Sequence, residues 1–109
     1  MILKVFAVRD VKASAFLQPF YSPSVGSALR AFGDAVADTN CPFNKHPEDY
    51  VLYEIGIYDD SSAELAPNEV IKMMATASDF VNDKVKVLPG VTKECADMVI
   101  DPALINGKK

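Results

Sequence analysis

At 109 residues the chain has room for one core, and with half its residues apolar and 24% charged it has the composition of a soluble globular domain, not of a disordered chain. A net charge of −4 and a pI near 4.8 exclude a uniformly basic nucleic-acid or membrane binder. No apolar run approaches the ~18–20 residues that span a bilayer, and residues 1–10 lack the unbroken apolar stretch of a signal peptide, so the expected setting is the cytoplasm, away from membranes.

Residues 2–8 alternate between two largely apolar sets, Ile2, Phe6, Val8 and Leu3, Val5, Ala7, interrupted by Lys4. This predicts a strand central in its sheet. Residues 10–23 hold Phe16, Leu17, Phe20 and Tyr21, but Pro19 and Pro23 forbid a long helix, so an extended, aromatic-rich connection is expected. Over residues 24–38, Val25, Ala28, Leu29, Phe32, Ala35 and Val36 form one stripe at helical spacing, with Ser24 as N-cap. Gly33 lies off that stripe, where it either admits a close neighbour or is only a tolerated break costing about 1 kcal/mol relative to Ala. Thr39, Asn40 and Pro42 end the helix.

Residues 41–49, with Pro42 and Pro47, read as a loop. Residues 50–58 alternate strictly, which predicts a strand with Val51, Tyr53, Ile55 and Ile57 on one face and Tyr50, Leu52, Glu54, Gly56 and Tyr58 on the other. Asp59-Asp60-Ser61-Ser62 is turn chemistry, so residues 63–66 should return as a hairpin, which Pro67 and Asn68 break. Over residues 69–81, Ile71, Met74, Ala75, Ser78 and Val81 suit a helix face, and an edge strand over residues 70–74 is the alternative. Residues 84–88 alternate as a short strand, residues 92–100 suit a short helix capped by Thr92, and residues 106–109 form a frayed polar tail. The order predicts a single α+β domain over residues 1–105, with an antiparallel or mixed sheet and helices packed on one face. A ferredoxin-like arrangement is one way to close it.

The charge is polarised along the chain: +3 over residues 1–33, −8 over residues 34–69 and +1 over residues 70–109. A polarised nucleic-acid binder therefore survives the acidic total. Single-strand binders combine a basic groove with aromatic platforms, and the candidate contacts are Lys4, Arg9, Lys12 and Arg30, with Phe20 and Tyr21 as stacking groups. The plainer reading is that Phe16, Phe20 and Tyr21 cover the core. The strand face bearing Tyr50, Leu52 and Tyr58 is a further candidate for exposure.

No catalytic set assembles. Cys41 and Cys95 are too few for a disulfide framework and are expected as free thiols. His46, in Lys45-His46-Pro47-Glu48-Asp49, invites a Cys41–His46–Asp49 triad, but a proline-bound loop does not imply convergence, so His46 is expected as an exposed or capping loop residue. Cys41, His46 and Cys95 lack zinc-site spacing, the glycines form no phosphate loop, and Asp59-Asp60 lacks the spacing of a calcium loop. The expectation is no enzyme, no catalytic residue, no metal and no cofactor. The rival to nucleic-acid binding is an acidic interaction module that regulates another protein or pairs as a homodimer.

Three stretches carry a resemblance: Ala15-Phe16-Leu17-Gln18-Pro19-Phe20, then Ala28-Leu29-Arg30-Ala31-Phe32-Gly33-Asp34-Ala35-Val36, then His46-Pro47-Glu48-Asp49-Tyr50-Val51-Leu52-Tyr53-Glu54-Ile55-Gly56-Ile57-Tyr58-Asp59-Asp60. With the opening Leu3-Lys4-Val5-Phe6, they resemble the small nonstructural protein of gokushoviruses, the single-stranded-DNA phages of the microvirus group. The resemblance covers about the first two-thirds of the chain. It implies a DNA-binding accessory protein acting in single-stranded genome replication or packaging in the host bacterial cytoplasm. It implies single-stranded DNA as partner, or a phage or host replication or capsid protein, and it assigns no site residues.

Overall fold

The computed structural model describes residues 1–81 together with Cys95 and Met98. Strand β1 (Ile2–Asp10) is central, paired along both edges; one apolar face packs in the core through Phe6 and Val8, and Val5 and Ala7 of the other are also buried. On one side lie the short strands β2 (Ala15–Phe16) and β3 (Phe20–Ser22), both antiparallel to β1. The prolines do forbid a helix here, and the extended connection folds back on the strand it follows. On the other side runs β4 (Tyr50–Asp59), which in turn pairs with β5 (Glu64–Thr76). All five strands form one antiparallel sheet, and the fold is α+β. The chain crosses from β3 to β4 through helix α1 and sets β4 directly beside β1, so the described residues close their sheet without a split βαβ unit.

Helix α1 (Val25–Ala37) forms where the apolar stripe placed it. The Ser24 hydroxyl accepts the backbone N–H of Ser27 at 3.1 Å, satisfying one of the donors that a helix start leaves free. The stripe residues Ala28, Phe32, Ala35 and Val36 are buried against Phe6 and Val8 of β1 and Leu52 of β4. Phe32 is central, with the rings of Phe43 and Phe80 at 5.5 and 5.6 Å. Gly33 has a packing role: a Cβ there would stand 3.1 Å from the Phe80 ring, so the bare backbone lets that ring seat against the helix.

Several expectations are corrected. Residues 41–49 are not an open loop but a helical turn α2 (Pro42–Lys45) followed by a 3-10 turn (Pro47–Asp49), each begun by a proline at a position that needs no donor. Pro67 and Asn68 do not break the hairpin, and β5 runs on to Thr76, so the strand alternative holds for residues 70–74 and only helix α3 (Ser78–Val81) realises the expected helix. Pairing with β4 from Glu64 to Thr76 outweighs a local preference worth tenths of a kcal/mol per residue. Cys41 and Cys95 are not free thiols; they are joined in a disulfide with Cα atoms 6.1 Å apart. Cys41 begins α2 inside the core cluster, to which Cys95 and Met98 also belong, so tertiary proximity decides what a cysteine count does not. Cys95 and Met98 are helical, within the helix expected over residues 92–100; the expected strand at 84–88 and the polar tail lie outside the described residues.

Candidate nucleic-acid interface

The described helices cover one face of the sheet and, among the described residues, no helix packs on the other, the open face. Cross-strand partners in an antiparallel pair share a face, so the register assigns the residues. Phe6 and Val8 stand opposite Glu54 and Leu52 on the helix side. Leu3, Val5, Ala7 and Arg9 therefore point to the open side.

Strand β4 keeps its alternation only as far as Ile55. There the pairing slips: Phe6 pairs with Glu54 but Val5 pairs with Gly56, leaving Ile55 as the extra residue of a bulge. The slip puts Tyr58, opposite Leu3, on the same face as Tyr53, opposite Ala7. The strict alternation expected for residues 50–58 is thus broken, and Tyr50 and Leu52 line the core instead of an exposed face. Gly56 is needed where the strands close up: a Cβ there would lie 2.5 Å from the Ala66 carbonyl oxygen.

Two aromatic pairs result on the open face. The rings of Phe16 and Tyr53 meet edge-to-face at 5.4 Å, and those of Tyr21 and Tyr58 at 5.3 Å. Phe16 is 44% exposed and Tyr21 48%. Val5 and Ala7 are buried, directly across from Tyr21 and Tyr53. A cleft of about 290 Å³ lies beside the second pair, floored by Val5, Ile55 and Gly56 and walled by Tyr21 and Leu65. Arg9 sits at the Phe16 end of the face, as the partner of both Phe16 and Val51. Among the described paired residues of this face Arg9 is the only charge.

Five of the described carboxylates, those of Glu54, Asp34, Asp38, Asp59 and Asp60, lie elsewhere. Glu54 is buried on the helix side, with Lys4 Nζ at 3.7 Å. Asp34 and Asp38 belong to α1 and its C-cap. Asp59 and Asp60 close the β4–β5 turn, where the Met1 amine donates to Asp60 Oδ1 at 2.8 Å. Hydrogen bonds from Ser61 hold the Asp59 carboxyl below its ordinary range.

The six candidate contacts separate accordingly. Arg9 and Tyr21 share the open face, and Lys12 is exposed in the β1–β2 turn beyond Arg9. Lys4 is on the helix side against Glu54, and the Phe20 ring stacks on Phe6 at 5.7 Å beside the core. Arg30 is on α1, behind the sheet. Of the remaining rings of this surface, Tyr58 is expected from the sequence on an exposed strand face, whereas Tyr53 is expected on the opposite face and only the structure joins it and Phe16 to Tyr58. The signal was Gly56, since an isolated glycine inside a strand pattern often marks a bulge. The Cys41–His46–Asp49 triad is excluded because the Cys41 sulfur is bonded to Cys95.

The class defined here is a small helix-backed antiparallel sheet with one open aromatic face. Residues 3–80 match the model of the Phage ORF5 protein family, and the chain belongs to that family. No curated protein and no solved structure matches it. Among the described residues no helix is long and apolar enough to cross a membrane.

Proposed function

We propose that this phage protein is a non-enzymatic accessory factor that binds single-stranded DNA on the open sheet face during replication or packaging of the genome. One observation carries the reading: the face presents two ring pairs, each with one exposed ring (Phe16 and Tyr21), together with Arg9, and is free of carboxylates among its described paired residues. Bases stack on aromatic side chains regardless of sequence, and an antiparallel sheet surface is a common platform for this. The acidic total is compatible with phosphate because the carboxylates of residues 34–69 lie on the helix side, at the turns and along the β5 edge. The resemblance to gokushovirus nonstructural proteins supports the same role.

Fluorescence anisotropy with a labelled oligothymidine at about 50 mM salt tests it, because electrostatic attraction is strong there. Each stacked base contributes ~1–3 kcal/mol, so Tyr21→Ala and Tyr58→Ala should each weaken binding by about fivefold or more. Arg9→Ala should weaken it and flatten the salt dependence, while Arg30→Ala, behind the sheet, should change little. Absence of binding, or equal losses in the Arg9 and Arg30 variants, overturns the reading. The rival, a protein contact made by the same face, would then appear as a concentration-dependent mass in light scattering that Tyr21→Ala abolishes.

A further inference from the structure

The connection from α2 to β4 carries a feature independent of the open face. His46, Glu48 and Asp49 each turn one ligand-capable atom toward a common point, and these atoms all lie within 4.8 Å of one another. The backbone beneath them is closely held. Pro47 begins the 3-10 turn, whose closing bond runs from the Asp49 N–H to the His46 carbonyl at 3.0 Å. The His46 N–H donates to the Pro42 carbonyl at 2.9 Å, which ties the turn back to α2. Phe43 is buried just before it, and the Tyr50 ring packs on Phe43 at 4.8 Å just after it. The side chains of His46 and Glu48 are exposed on this rigid base, and Asp49 is half-buried.

Among the described residues no hydrogen bond or ion pair engages these three side chains. Two carboxylates thus stand close together without a counter-cation. Like charges held together by a fixed backbone lose repulsion when a cation binds between them.

We propose that His46, Glu48 and Asp49 form a surface site for a borderline divalent transition ion of the Zn²⁺ type. An imidazole nitrogen with two carboxylate oxygens suits zinc, cobalt or nickel, whereas magnesium and calcium take oxygen-only sets. Zinc bonds of about 2.0–2.2 Å place neighbouring ligand atoms about 3.4 Å apart, so binding requires these atoms to close in from their separation of up to 4.8 Å. Three protein ligands leave a coordination position for water or a partner's group. Cys41 does not compete, because its sulfur is held in the disulfide.

The chain has a single histidine, so its imidazole resonances need no assignment. Zinc chloride titrated into the full-length ¹⁵N-labelled protein should shift them saturably, and magnesium should not. Glu48→Gln and Asp49→Asn should each weaken zinc binding by at least about tenfold, the cost of losing even an outer-sphere partner. In His46→Gln, read from the backbone amides of residues 46 and 48–50, zinc should cause no saturable shift. No shift at millimolar zinc overturns the proposal. So does an affinity unchanged in the Glu48→Gln/Asp49→Asn double variant, because the ion would then be held by a lone surface imidazole. Glu48→Gln alone, at a fully solvated position, decides the matter if the double variant fails to fold.

Discussion

Reduction of the Cys41–Cys95 disulfide is the most informative perturbation of this fold. The bond closes a loop across 54 residues of sequence separation, and releasing a loop of that length returns about 14 cal/mol/K of chain entropy to the unfolded state. At 25 °C this is about 4 kcal/mol, a large share of the ~5–15 kcal/mol available to a domain of this size. Losing it should lower the melting temperature by about 15 °C. Both sulfurs are buried, Cys41 at 0% and Cys95 at 4% exposure, so reductant reaches them only through opening, and reduction should accelerate steeply with added denaturant. The assay is guanidinium unfolding of the oxidised and fully reduced protein, each verified by intact mass. The reduced protein should show a lower midpoint and a steeper denaturant dependence, because its unfolded chain exposes more surface. A Cys41→Ala/Cys95→Ala variant should match the reduced protein, less a cavity cost where Cys41 is removed. Equal midpoints for verified oxidised and reduced protein, or a mass carrying both thiol hydrogens in the untreated protein, would refute the reasoning.

Further expectations follow from the packing and the charges. Gly56→Ala should cost about 1–3 kcal/mol in chemical unfolding, since the new methyl meets the backbone of β5 and not a movable side chain. Gly26→Ala meets nothing nearer than the Ser24 hydroxyl at 4.0 Å, and should stabilise the first turn of α1 by about 0.5–1 kcal/mol. Phe32→Ala, at the centre of three packed rings with no exposure, should cost about 3–5 kcal/mol and lower the melting temperature accordingly. The pairing of the Met1 amine with Asp60 raises the amine above its ordinary value of 8.0, so that contribution is complete below pH 8.0 and is lost as pH rises through the folded-state value. Asp59 is shifted the opposite way, below 3.8, so its contribution is complete above that pH and is lost on acidification through its lowered value. Amide exchange at the β4–β5 turn should therefore be slowest between these limits; exchange that slows beyond pH 8, after correction for its intrinsic rate, would contradict the pairing.

Which residues were legible depends on how local their causes are. Helix α1 was readable to within a residue because its cap, stripe and stop are local, and the close-packing reading of Gly33 found its partner in Phe80. Strand β1 was readable because its consecutive residues Val5 to Val8 are all buried, so both alternating sets are apolar. The outcome was different for β5. Its Ile, Met and Ala residues favour a helix locally, and the competing hydrogen bonds come from β4, which no window of residues 69–76 contains.

The candidate face was partly visible, since Arg9 and Tyr21 were named and do share it. Its other members depended on one slipped pair at Ile55, which turns Tyr58 to the side of Tyr53 and leaves Leu52 in the core. A shift by one residue reverses every later side chain of a strand, and both alternating sets of residues 50–58 are apolar enough to be either face.

By itself, the amino-acid sequence determined a single acidic α+β domain, the position and cap of α1, the central place of β1, and a basic first third followed by an acidic middle. Those properties depend on composition or on contacts a few residues apart. The tertiary structure alone decided which sheet face the described helices leave uncovered, that the described paired residues of that face include no carboxylate, that Cys41 meets Cys95, and that residues 69–76 extend a sheet. Each of these depends on partners far away in the chain, whose approach is set by the packing of the whole core.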